Sequence, residues 1–108
     1  MYRIIITPDM SLYEAFRTVA SKYPARPAVT FNDRTRRYRE LLAKIDALAW
    51  DLREKGLAPG GRVALLLPNG FEFVCAFLAP SSLGAVVIPL DLNLKARDLL
   101  HILEDSGC

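Results

Sequence analysis

Two rhythms alternate along this chain: apolar residues at helical spacing, and short continuous apolar runs. Leu12, Phe16, Val19, Ala20 and Tyr23 repeat with a helical period behind Ser11-Leu-Tyr-Glu14. A serine and a glutamate three residues apart can each satisfy a free backbone donor where a helix starts. Pro24 stops that helix, because proline has no N–H to continue the ladder. "PAVTF" (27–31) is short and β-rich, "NDR" is a turn and "TRRY" returns, a pattern that predicts a hairpin. Tyr38, Leu41, Leu42, Ile45, Leu48, Ala49 and Leu52 then form one long apolar stripe that Gly56 closes. Trp50 falls far from this stripe at 100° per residue, which makes it either an exposed tryptophan or a contact for something absent.

After the loop "LAPGG", "RVALLL" (62–67) is a continuous apolar run between Gly61 and Pro68, as expected of a strand buried on both faces. Phe71, Val74, Cys75 and Leu78 follow at helical spacing until Pro80. "GAVVIPL" (84–90) reads as a second buried strand. Asn93 precedes Ala96, Leu99, Leu100 and Leu103, again one helical face. The order is helix, hairpin, helix, strand, helix, strand, helix. Strands that alternate with helices imply crossover connections and a parallel sheet covered on both faces. The fold class is therefore α/β: a layered, mostly parallel sheet flanked by helices, with a short β-hairpin near the N-terminus, in one domain over 1–108. The helix opened at Phe71 is expected to end or bend at Pro80, with Gly84 rather than Ser81 starting the next turn, because an interior proline costs about 3 kcal/mol.

Composition narrows the function classes. Hydrophobic residues make up 52% of the 108 residues, a core-rich chain rather than a disordered one. No apolar run approaches the roughly 18 residues that cross a bilayer, and "MYRIIITPDM" has too short an apolar core for a signal peptide, so the expected location is cytoplasmic. A net charge of +2 gives no long-range field for nucleic acid or anionic lipid. Locally, Arg34, Arg36, Arg37 and Arg39 crowd together in "NDRTRRYRE". They read as a solvated hairpin broken by Asp33 and Glu40. The rival reading, a phosphate or RNA contact with Tyr38 stacking, lacks the aromatic interleaving of single-strand binders. Cys75 and Cys108 have no metal-ligand or disulfide spacing and read as free thiols.

The candidates for chemistry are thin. "LLLPNGFEF" has one glycine and no lysine, so Asn69-Gly70 does not match a phosphate-cradling loop, and Phe71 and Phe73 crowd it. It reads as a strand-to-helix turn that borders a site only if other segments complete one. His101, near Lys95 and Asp98, belongs on the solvated side of the last helix. Ser81 and Ser82 have no histidine or lysine at an activating spacing. Glu40, Asp46, Asp51 and Glu54 lie off the apolar stripe as solubilising groups, and Asp91 is the one acid at the end of a predicted strand. No catalytic, cofactor-binding or metal-ligating residue is assigned.

The order of segments is more telling than any one of them. Tyr38-Arg-Glu40-Leu41 opens the long helix. Gly61-Arg62-Val63-Ala64 leads a hydrophobic strand to Pro68-Asn69, and Gly84-Ala-Val86 leads a second to Pro89-Leu90. In this order they resemble the start of the AMP-forming acyl-CoA synthetases, the adenylate-forming enzymes that include luciferases and peptide-synthetase adenylation domains. The resemblance runs from about Leu12 onward. It implies ATP-dependent activation of a carboxylate to an acyl-adenylate, then transfer to coenzyme A with Mg²⁺ assisting. It also implies that this chain is a truncated amino-terminal portion, inactive alone and prone to self-association through an uncovered apolar face or sheet edge. The family's phosphate loop and catalytic lysine fall on no position here, so ATP, Mg²⁺ and coenzyme A belong to the longer parent. Gly61 stands where the family usually has Asp, and Asp91 where it usually has Asn. Two other readings stay open: a self-standing interaction module without catalysis, and a small receiver or flavin domain.

Overall fold

A computed structural model of the protein describes residues 11–107. Cys108 and the opening "MYRIIITPDM" lie outside the described residues. In chain order the elements are α1 (Leu12–Lys22), β1 (Pro27–Phe31), β2 (Arg34–Arg37), α2 (Tyr38–Glu54), β3 (Arg62–Leu65), α3 (Phe71–Ser82), β4 (Val86–Pro89) and α4 (Ala96–Ser106). The α/β order expected from the pattern is present, as two separate two-stranded sheets: the antiparallel β1–β2 hairpin and the parallel β3–β4 pair that α3 connects.

Local chemistry explains most boundaries. The Ser11 hydroxyl accepts the Glu14 N–H at 3.1 Å, and the Glu14 carboxylate accepts the Ser11 N–H at 3.2 Å, so α1 opens with both donors satisfied. The hairpin turns through Asn32 and Asp33, both at positive φ (51° and 63°), the conformation that matches the twist of the strands it joins. Gly61 closes the loop before β3, donating its N–H to Ala58 O at 2.9 Å. A Cβ at Gly61 would stand 2.8 Å from Leu57 Cδ1 and 2.9 Å from Ala58 O, so no side chain fits there as the loop stands.

The core lies between α2 and α3. Leu41, Ile45, Cys75, Leu78 and Ala79 are buried together, and Phe16, Val29, Leu48 and Phe77 pack around them. Tyr38 sets its ring 5.8 Å from that of Phe16, joining the start of α2 to α1. Trp50 lies off this core and is 61% exposed.

Two expectations need correction. First, α3 does not end at Pro80 but continues to Ser82. Pro80 is fully buried, so its ring contributes packing that offsets the lost backbone bond. Just after it, Ser81 Oγ donates to Phe77 O at 2.9 Å and Ser82 Oγ to Ala79 O at 2.6 Å. Leu83 N–H then bonds Pro80 O and Gly84 N–H bonds Ser81 O, the tightened last turn of a helix, and Gly84 at φ +75° makes the reversal. Second, the two apolar runs are shorter as strands than 62–67 and 84–90, and they are not buried on both faces. Leu65 is buried, but Leu66 is 42% and Val86 52% exposed. A run written for a sheet interior stays open here because the parallel pair has no third strand among the described residues.

Candidate functional site

Two clefts meet at the turn between β3 and α3, and Asn69 lines both. One lies at the carboxyl ends of β3 and β4, where ligands of open α/β sheets collect. It has a volume of about 340 Å³ and is lined by Leu67, Phe73, Leu90, Asp91 and Asn93 among others. The other, about 450 Å³, lies between the hairpin and the start of α3. Val29, Phe31, Arg34 and Arg36 form one wall, and Gly70, Phe71 and Glu72 form the other.

The second cleft owes its shape to one contact. Gly70 caps α3 at φ +145°, and a Cβ there would lie 3.4 Å from Cδ1 of Phe31, so the ring sits against the turn backbone. The Asn69–Gly70 turn connects β3 to α3 and lines the cleft together with Phe71. Arg36 is half-buried, its guanidinium 5.2 Å from the centre of the Phe71 ring, a cation–π distance.

The sequence candidates separate widely. Asp91 lies just beyond β4, and its Oδ1 accepts the Asn93 N–H at 2.8 Å, which closes a local turn. His101 is exposed on α4 with Nε2 3.2 Å from Asp105 Oδ2, one helical turn along. Ser81 and Ser82 bond to helix carbonyls. Cys75 is buried, and burial pushes its thiol up to about 11, which makes it an inert core group. Glu40 accepts the Arg37 N–H at the start of α2 (3.4 Å). Arg37 itself turns away from the cleft to donate to Ala25 O at 3.2 Å.

Asp46 differs from its expected role as a plain solubilising group. The Tyr13 hydroxyl donates to Asp46 Oδ1 at 3.4 Å and accepts from Arg17 at 2.7 Å, with Arg17 3.6 Å from Asp46. The Tyr13 hydroxyl first, and Asp46 behind it, favour the Arg17 charge and raise its pKa. The trio ties α1 to α2 across 33 positions, a separation that helical periodicity does not register.

The residues that carried the family resemblance do structural work. Leu41 is wholly buried, Tyr38 packs on Phe16 and Glu40 supports the start of α2. Arg62 donates to Ser106 O, tying the first residue of β3 to the end of α4. Residues 16–108 match the family described as AMP-binding enzyme. The chain belongs to this family. It is 33% identical over 102 residues to surfactin synthase subunit 1 of Bacillus subtilis, covering 94% of this chain and 3% of that protein. It is 43% identical over 70 residues to long-chain-fatty-acid–CoA ligase FadD13 of Mycobacterium tuberculosis, covering 65% and 14%. Among solved structures, the N-terminal subdomain of Klebsiella oxytoca NpsA in complex with anthranilyl-AMSN superposes with a TM-score of 0.84 at 30% identity, over 91% of this chain and 26% of that one. The N-terminal domain of FACL13 from Mycobacterium tuberculosis gives 0.84 at 35% identity, over 90% and 25%. The chain thus spans about a quarter of the N-terminal units it matches and a few per cent of the peptide synthases.

The two clefts lack the carboxylate set that would hold the magnesium such enzymes imply. No lysine lines either one, and Glu72 and Asp91 are their only carboxylates. Among the described residues no three of His, Cys, Asp or Glu gather to hold a metal.

Proposed function

We propose that this chain forms the amino-terminal portion of a carboxylate-activating ligase, which makes an acyl-adenylate from ATP and then a coenzyme A thioester. The carrying observation is the joint match in sequence and structure: residues 16–108 fit the family, and the backbone superposes on adenylating N-terminal subdomains at a TM-score of 0.84. The 43% identity to a fatty-acid–CoA ligase supports coenzyme A as the acceptor.

The part assigned to this chain is architectural. Its helices α2 and α3 supply a packed wall, and the β3–β4 pair, open at its edges, supplies the start of a parallel sheet that further strands extend. Neither cleft holds a lysine or a pair of carboxylates for a metal, and positioned charge of that kind supports adenylyl transfer. ATP–pyrophosphate exchange over a panel of carboxylic acids tests the assignment. The 108-residue chain alone gives no exchange, whereas a protein that continues past it gives acid-dependent exchange and, with coenzyme A, a thioester. Turnover by the rigorously purified 108-residue chain overturns the architectural role.

Two further properties accompany this reading. The chain associates with itself through its uncovered apolar surface, and it works in the cytoplasm without binding nucleic acid. No described helix is long and apolar enough to cross a membrane.

A further inference from the structure

The hairpin face that meets α3 carries charge where a packed wall would carry apolar groups. Val29 pairs with Arg36 and Phe31 with Arg34 across the hairpin. Alternate strand positions point to the same side, so these four share the face that lines the cleft of about 450 Å³. Arg34 and Arg36 are two positions apart, about 7 Å along the strand, close enough for two long side chains to converge on one group. The ion pairs found among the described residues join Arg17 to Asp46 and His101 to Asp105, and neither cleft arginine takes part. The stacking of Arg36 over Phe71 holds its guanidinium at the cleft without neutralising it. A guanidinium presents a rigid fork of N–H donors that matches the oxygens of a phosphate or carboxylate.

We propose that this cleft is an oxyanion site of the phosphate class, gripped by the side chains of Arg34 and Arg36 with Asn69 as a neutral donor. The Phe31 ring packs beside Gly70 at the edge of the cleft. Glu72 on the opposite rim repels an anion, so it weakens the site and supplies a variant of opposite sign. The proposal does not rest on adenylate formation, and binding is read without turnover.

The test is a ¹⁵N NMR titration of the 108-residue chain at constant ionic strength with inorganic phosphate, pyrophosphate and glycerol phosphate. The expected result is a saturable shift confined to amides of 29–36 and 69–72. Arg34→Gln, an exposed change that leaves the core alone, weakens it about tenfold. Glu72→Gln tightens it, and Arg39→Gln, outside the cleft, leaves it unchanged. Tighter binding of phosphate or pyrophosphate assigns the site to a free anion, and tighter binding of glycerol phosphate to the phosphate group of a larger molecule. Either one supports the class. Linear shifts that never saturate, equal affinity in Arg34→Gln, or tighter binding of a single-stranded oligonucleotide through the same amides overturns it.

Discussion

Gly70 and Phe31 fix the hairpin to the start of α3: the aromatic ring stands 3.4 Å from where a Gly70 side chain would begin, and Gly70 itself sits at φ +145°. The space is tight but tolerable, whereas the backbone angle is one that only glycine adopts without strain. Gly70→Ala is therefore expected to lower stability by about 1–3 kcal/mol. The drop appears as a reduced urea midpoint with an unchanged m-value, together with loss of the NMR contacts between Phe31 and residues 70–71. Unchanged stability would mean that the turn adopts a different conformation.

Cys75 gives a pH prediction with a definite sign. Its thiol is pushed from 9.0 to about 11 by burial, with Lys44 lowering and Glu72 raising it as lesser influences. Between those values the unfolded chain has lost the thiol proton and the folded chain has kept it. The unfolded state binds fewer protons, so stability falls as pH rises through this window, and below about pH 9 the thiol contributes no pH dependence. Urea titrations at pH 8, 9.5 and 10.5 should show a steeper loss for the natural chain than for Cys75→Ala. At pH 8 iodoacetamide should modify Cys75 only as fast as the chain opens.

These tests also mark what the sequence could reveal. Element order, the α2 stripe and the Ser11–Glu14 cap were legible because each depends on neighbours within a few residues. The true extent of α3 was not, because the balance at Pro80 depends on the burial of its ring against distant elements. Strand burial was misread for a related reason: an apolar run does not record how many strands flank it, and Val86 and Leu66 stay exposed where the parallel pair has no third strand among the described residues. The cleft combines residues from 29–36 and 69–72. The arginine cluster was visible in the sequence, but its meeting with the Asn69–Gly70 turn is a tertiary fact.

Ser11→Ala tests the cap on α1. It removes the Oγ acceptor of the Glu14 N–H and leaves the Glu14 carboxylate to hold its own half of the exchange. The expected cost is about 1 kcal/mol, read as a lower thermal midpoint. Ser11→Asp, which keeps an acceptor at a helix N-terminus and adds favourable charge, should restore it. A loss of equal size in both variants would place the effect outside the cap.

The last expectation is self-association, and the exposed surface gives it a place. The parallel pair β3–β4 leaves both outer edges unpaired by another described strand, with Val86 52% and Leu66 42% exposed beside them. Burial of such surface contributes about 25 cal/mol per Å², and open strand edges recruit further strands. Trp50, 61% exposed on α2, is a second apolar contact available to a partner copy. Light scattering over a concentration series should therefore give a mass rising above the 12.0 kDa of one chain. Val86→Lys puts a charge at the strand pair and should shift the series toward the monomer, as inward or edge lysines do in natural sheets. Trp50→Glu reports separately on the α2 face, and a larger effect there than at Val86 would move the contact from the sheet to the helix. A clean monomer at the highest concentration would remove self-association altogether.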